Sequence, residues 1–272
     1  MILHKTREVL QYGRDFLSNN HIDTREARLL LANTLQVEPS ELIKIAECTE
    51  GDFERYQMSL NRRAAGEPYA YITGEKEFMK LKFLVNKSVL IPREDTEILV
   101  LEALKQGKTD ILDLCTGSGC IAVSLAKYLN NAKVEASDIS TRALCVAKKN
   151  AAMNEDTANF IHSDLFEDIT KKYDMIVSNP PYIRKSELKT LQIEVKKEPK
   201  RALDGGESGL EFYERIIKEA PKYLKEGGSL LLEIGYDQAD SVNHILKNYH
   251  FKKIKKVKDL SGHDRVLMAE RG

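Results

Sequence analysis

The chain changes its hydrophobic rhythm twice. Over residues 1–74 the buried-type positions keep helical spacing: Ala27, Leu30, Leu31, Thr34 and Leu35 share one face after Asp23, a good N-cap. Pro39 opens a short helix at 42–46, and Asp52 is placed to cap a third helix running to Ala65. On this reading Arg25, Arg28, Arg62 and Arg63 lie on solvated faces. From Glu77 the rhythm shortens. Phe78, Leu81, Phe83 and Val85, then Val89 and Ile91, predict two strands around a turn at Asn86-Lys87. From Asp110 short apolar runs alternate with amphipathic stretches, the mark of a parallel sheet. Strands are predicted at 110–115, 133–137, 158–162, 173–178, 228–234, 251–257 and 265–269. Helices are predicted near 98–104, 119–129, 140–153, 210–225 and 237–248, with Gly227-Gly228 closing the helix that ends at Leu224. The expected fold is α/β, a mostly parallel seven-stranded sheet. Its expected domains are a helical bundle (1–74), a β-hairpin linker (75–91) and the sheet domain (92–272).

Composition narrows the classes. With 272 residues, 42% of them apolar, the chain can bury a real core and is not disordered. Its 42 basic and 42 acidic residues cancel, which argues against a broad nucleic-acid footprint. Lys247, Lys252, Lys253, Lys255, Lys256 and Lys258 form one local basic run. It reads as the guarded edge of a sheet, with phosphate contact as the alternative. Cys48, Cys115, Cys120 and Cys145 show no metal or disulfide spacing, and the six histidines are scattered, so no metal site is expected. The start, MILHKTREVL, lacks a signal-peptide core, and no run approaches the roughly 18 apolar residues of a membrane span. A cytoplasmic setting without membrane attachment is expected.

The chemistry centres on Asn179-Pro180-Pro181-Tyr182, which follows the apolar strand candidate at 173–178. Each proline keeps the residue before it extended, and neither has an N–H to offer. The loop therefore presents acceptors, the Asn179 side-chain carbonyl and main-chain carbonyls, beside the Tyr182 ring. That combination suits a planar group carrying –NH2. A second motif, Asp113-Leu-Cys-Thr-Gly117-Ser-Gly119, links the first strand of the sheet domain to a helix. Its glycines permit close backbone approach to a ligand, and the helix start offers unpaired N–H groups. Asp138 stands 21 residues after Gly117 at the next strand end, where an acidic residue holds ribose hydroxyls. Asp164 ends the third strand, in line with Asp138 and Asn179. Gly117, Gly119 and Ala122 also fit a nicotinamide-binding turn, but a dehydrogenase has no role for the proline loop. A non-catalytic adaptor that binds the cofactor for structure alone is a further alternative.

These motifs, in this order, resemble Rossmann-like class I S-adenosylmethionine-dependent methyltransferases acting on amino groups. Three further stretches narrow the likeness: Pro68-Tyr69-Ala70-Tyr71-Ile72-Thr73-Gly74, Val89-Leu90-Ile91-Pro92-Arg93-Glu94-Asp95-Thr96-Glu97, and Glu198-Pro199-Lys200-Arg201-Ala202-Leu203-Asp204-Gly205-Gly206. They resemble the HemK/PrmC family, the protein-(glutamine-N5) methyltransferases of peptide chain release factors. The likeness covers nearly the whole chain. It implies S-adenosyl-L-methionine as donor, S-adenosyl-L-homocysteine as product, and the glutamine of a Gly-Gly-Gln tip as acceptor. It implies cofactor contacts from Asp113, Cys115, Thr116, Gly117, Ser118, Gly119, Asp138, Ile139, Asp164, Leu165 and Asn179. Substrate contacts are expected from Asn179, Pro180, Pro181, Tyr182 and Arg93, with Arg93 alternatively paired to Glu94 or Glu97. The Asn179 side chain and the Pro180 carbonyl are expected to grip the amide hydrogens while Tyr182 packs on the flat amide. The helical domain is expected to dock the release factor. A nucleic-acid (rRNA or DNA) exocyclic amino methyltransferase is the alternative. Cys115 departs from the family, whose loop often has glycine there. Leu165 and Ser208 also stand where related sequences carry other residues.

Overall fold

A computed structural model describes residues 2–155 and 157–272. The chain forms two compact units: one runs to Gly74 and also takes in Gln192–Lys197, the other comprises Glu75–Leu191 and Glu198–Gly272.

The first unit contains β1 (Leu3–Lys5), α1 (Thr6–Asn19), α2 (Arg25–Leu35), a 3-10 turn (Pro39–Lys44), β2 (Glu47–Thr49), α3 (Glu50–Ala64) and the short α4 (Tyr69–Thr73). The antiparallel pair β1–β2 is an addition to the all-helical expectation. Leu17, Leu30, Leu31, Tyr56 and Leu60 are fully buried at its centre. The Tyr56 hydroxyl donates to the Ala27 carbonyl at 3.0 Å. Local details differ from the sequence reading in three places. Thr24, not Asp23, occupies the N-cap position of α2, although Asp23 still accepts the Arg25 N–H at 2.9 Å. Thr49 caps α3, with Asp52 as the reciprocal member of a capping box. Arg63 is not solvated. It is 7% exposed and held by Glu26 at 2.5 Å and Glu194 at 2.8 Å.

The second unit opens with the hairpin β3 (Glu75–Phe78) and β4 (Leu81–Leu84). Its turn lies at Met79-Lys80, both left-handed (φ 49° and 59°), rather than at Asn86-Lys87. Two-residue hairpin turns of this hand normally select Gly, Asn or Asp, which hid this one. Tertiary contacts hold it instead: the Met79 N–H donates to Glu97 at 2.6 Å, and the Tyr128 hydroxyl donates to the Met79 carbonyl at 2.5 Å. α5 (Glu94–Gln106) starts four residues earlier than expected, its first turn carrying Glu94, Asp95 and Glu97 toward the positive end of the helix dipole.

Strands and helices then alternate: β5 (Asp110–Leu114), α6 (Cys120–Tyr128), β6 (Lys133–Asp138), α7 (Thr141–Met153), β7 (Asn159–His162), β8 (Tyr173–Ser178), α8 (Glu211–Tyr223), β9 (Leu224–Glu233), α9 (Ala239–Asn248), β10 (Lys252–Lys258) and β11 (Asp264–Glu270). The sheet order is β10-β11-β9-β8-β5-β6-β7, parallel except where β11 pairs with β9 and β10. Gly227-Gly228 do not close a helix; they sit in an irregularity of β9, between the Tyr173–Leu224 and Met175–Ser229 pairings. β5, β8 and β9 are buried on both faces, whereas the lysine-bearing β10 is an exposed edge. Its lysines pair with acids, among them Lys253 with Glu270 at 2.7 Å and Lys256 with Asp264 at 3.3 Å. Among the described residues no helix is long and apolar enough to cross a membrane.

Candidate active site

The chain runs outward from β5 to β6 and β7, then returns to lay β8 on the other side of β5. Such a reversal opens a crevice at the carboxyl ends of the two central strands. The register pairs Leu114 with Ser178, so the glycine-rich loop and Asn179 leave the sheet side by side. The Ser178 hydroxyl ties them by donating to the Leu114 carbonyl at 2.8 Å.

A cavity of about 340 Å³ lies over this point. Cys115, Gly117, Asp138, Ile139, Asp164, Leu165, Asn179 and Pro181 all line it. Asp138 is oriented by two backbone donors, Gly117 N–H at 2.9 Å and Ser140 N–H at 2.8 Å, one on each carboxylate oxygen. Each oxygen keeps a free lone pair. Burial pushes its carboxyl up, and the two N–H groups oppose that shift. Gly117 is left-handed (φ 56°) and its missing Cβ faces open space, with the Cys115 carbonyl at 4.0 Å the nearest atom. Cys115 itself is left-handed (φ 60°), the conformation for which glycine is better suited. Asp164 is held by Arg215 at 2.8 Å.

Other expected residues stand behind the cavity. Asp113 is fully buried and accepts the Thr116 hydroxyl at 2.6 Å; burial pushes its carboxyl up to about 7. The Ser118 carbonyl accepts from Asn150, whose side chain also makes two hydrogen bonds to Leu84 in β4. Gly119 (φ 80°) passes so close to α7 that a Cβ there would lie 3.0 Å from that of Ala147. Pro180, Tyr182 and Arg93 are not among the cavity-lining residues. Arg93 pairs with neither Glu94 nor Glu97: its partner is the buried Glu198, which also accepts the Ile91 N–H at 3.0 Å. Tyr182 is partly buried, and burial pushes its phenol up.

The proline loop is clasped by residues 199–209. Ile183 N–H donates to Leu203 at 2.9 Å, Gly205 N–H to Ile183 at 2.8 Å, and Gln238 to the Tyr182 carbonyl at 3.0 Å. A Cβ on Gly205 would lie 2.7 Å from Tyr182 Cα and 2.9 Å from the Pro181 carbonyl oxygen, so only glycine fits. The Asn179 side-chain nitrogen donates to the buried Thr96 hydroxyl at 3.2 Å, and Asn179 is itself one of the cavity-lining residues. Ser88, Val89 and Leu90, and Pro199, Arg201, Phe212 and Arg215, also line the cavity and were not singled out as cofactor contacts. They come from segments far apart in sequence. Val89 and Leu90, and Pro199 and Arg201, fall in the motif stretches 89–97 and 198–206, whereas Ser88, Phe212 and Arg215 carry no local sequence signal.

Residues 8–74 match the PrmC N-terminal domain family, and residues 94–208 match the Methyltransferase small domain family. The chain is 42% identical over 267 residues to the release factor glutamine methyltransferase of Clostridium acetobutylicum, covering 94% of each protein. The chain belongs to the release factor glutamine methyltransferases. It is also 42% identical over 295 residues to a bifunctional methyltransferase of Rickettsia typhi, where it spans 97% of its own length but 57% of the relative's. A solved methyltransferase structure from Pyrococcus furiosus shares the fold at 18% identity, with a TM-score of 0.58 over 82% of this chain and all of that one.

Proposed function

We propose that this chain transfers a methyl group from S-adenosyl-L-methionine to the side-chain nitrogen (N5) of the glutamine in the Gly-Gly-Gln tip of release factors. The observation that carries this reading is Asn179: its side-chain nitrogen is engaged by the buried Thr96, which leaves its carbonyl to accept, and it lines the same cavity as Gly117 and Asp138.

The cavity suits a nucleoside-bearing donor. Asp138, fixed by two N–H groups and with lone pairs to spare, is placed for ribose hydroxyls. Ile139, Leu165 and Phe212 offer an apolar bed for a purine, with Asp164 at its edge. When bound, the donor supplies an electrophilic sulfonium methyl.

The chain's own residues deal with the acceptor. A carboxamide nitrogen is a poor nucleophile because its lone pair is delocalised into the carbonyl. The Asn179 carbonyl and the Pro180 carbonyl accept its two N–H bonds, turning the lone pair toward the methyl and favouring positive charge on nitrogen. Tyr182 packs on the amide plane. Stiff prolines and the 199–209 clasp keep these acceptors in place, so most of the rate comes from alignment. The surplus proton leaves to water. Residues of the first unit dock the body of the release factor.

Asn179→Ala is expected to keep its fold and lose roughly 10²–10³ in methyl-transfer rate, the usual cost of a preorganised hydrogen-bonding group. The assay offers radiolabelled donor to a release factor, to its Gln→Ala tip variant and to bulk RNA. Label that persists in the tip variant, or that follows RNA, counts against the reading.

A further inference from the structure

Behind Asn179 lies a buried acid that the mechanism above does not use. The register pairing Ser178 with Leu232 puts Glu233, the last residue of β9, level with Asn179 across the sheet. Glu233 is 1% exposed, and its Oε2 atom has no hydrogen-bond partner. Thr96, 2% exposed at the start of α5, stands between them. Its hydroxyl accepts from the Asn179 nitrogen at 3.2 Å, which leaves its single proton to give elsewhere. The Thr96 and Asn179 side chains both lie close enough to the Glu233 carboxylate to favour its ionised form.

We infer that Glu233, acting with Thr96, is the positioning group that keeps the Asn179 amide nitrogen inward and its carbonyl facing the acceptor glutamine. This rests on the functional reading above. The chain of donors has a direction: from Asn179 through Thr96 to an acceptor, and the carboxylate, with acceptors on both oxygens, is the stronger one. A protonated Glu233 keeps one acceptor oxygen and turns the other into a donor. The Asn179 amide then gains by turning its carbonyl inward, and presents N–H bonds to the N–H bonds of the substrate amide. Donor meets donor, and the grip is lost.

The groups facing Glu233 place this switch near neutrality. Arg265 on β11 favours the carboxylate, but that guanidinium is already shared with Asp259 at 2.9 Å and Asp95 at 3.2 Å. Asp95 on α5 opposes the charge, and Tyr182 on the proline loop is a neutral phenol. Burial outweighs the favourable neighbours and pushes the Glu233 carboxyl up to about 7. The active form is therefore full above that pH and drains away below it.

Single-turnover methyl transfer to a release factor, followed from pH 6 to 8.5, tests this. The wild-type rate is expected to fall about tenfold per pH unit on the acid side and to level off on the alkaline side. Glu233→Gln removes that acid limb and, at pH 8, lowers the rate by about 10²-fold, the cost of a misplaced contact. Donor affinity, read by calorimetry, stays unchanged, which a merely structural lesion would not allow. Thr96→Val reproduces the loss, and Thr96→Ser restores the rate. A Glu233→Gln enzyme with the wild-type rate and acid limb overturns the inference. If Glu233→Gln does not fold, a Thr96→Val enzyme with the wild-type rate and limb overturns it equally. A wild-type enzyme that leaves the release factor unlabelled overturns the functional reading itself, a result distinct from either.

Discussion

Asp113 holds a carboxyl group where a charge has no solvent. Burial pushes it up to about 7 from its ordinary 3.8, so the folded protein holds this proton more tightly than the unfolded chain does. Stability on its account is full below the ordinary value and erodes as pH rises to about 7, then stays level. Asp113→Asn, which can still accept from Thr116, should therefore gain on the wild type between pH 5 and pH 8 in urea unfolding. An equal difference at both pH values would count against it. Cys115 presents a different strain. A side chain in the left-handed region costs on the order of 1–2 kcal/mol, and this cysteine sits there at φ 60°. Cys115→Gly should raise stability by about 1 kcal/mol in the same assay, since part of the relief is lost to the extra freedom of glycine when unfolded. Gly117 and Asp138, which the fold brings to one cavity, stood out in the sequence because each follows an apolar strand run at a strand end. Thr96 and Glu233 did not, because Thr96, though inside the 89–97 motif, meets Asn179 across 83 residues of chain, and Glu233 belongs to no local pattern.

At the scale of elements, the proline loop owes its position to a second loop. The clasp at 199–209 reads in the sequence as a motif without a reason. In the fold, its Gly205 lets two backbones touch where a methyl group would collide with Tyr182 Cα. Gly205→Ala should cost about 1–3 kcal/mol by overpacking. It should also lower methyl transfer more than Gly74→Ala, where no atom lies within 4 Å of the added Cβ. Equal rates for the two variants would show that the clasp does not set the loop. The hairpin teaches the complementary lesson. Alternation predicted two strands around Asn86-Lys87, the second with Val89 and Ile91. The structure instead pairs Glu75–Phe78 with Leu81–Leu84 and has no strand at 89–91. The Met79-Lys80 turn escaped the sequence reading because it carries no residue suited to positive φ. Its support, Glu97 and Tyr128, comes from other elements.

At the scale of the whole molecule, the first unit is not continuous in sequence. Gln192–Lys197 belongs with it, and Arg63 holds that segment through Glu194 at 2.8 Å while also binding Glu26. Glu194 is partly exposed, so the Arg63–Glu26 contact is the stronger of the two. A Cβ on Gly66 would come within 2.9 Å of Ile193, so the segment also packs closely. Arg63→Ala should speed amide exchange and proteolysis within 192–197 while leaving β5–β8 protected. Unchanged exchange in that segment would refute the anchoring role of Arg63.

The alternation of apolar runs determined the seven strands, their helices and the parallel class of the sheet, because period and length are properties of neighbours along the chain. The same local logic determined the glycine loop, Asp138 and the proline tetrapeptide. Tertiary structure alone decided that β8 returns beside β5, that Arg93 pairs with Glu198, that Arg63 is buried, and that Thr96 and Glu233 stand behind Asn179. Each of these depends on which distant segments share a strand end or a dry interior. Burial and charge partners exist only once the sheet has brought those segments together.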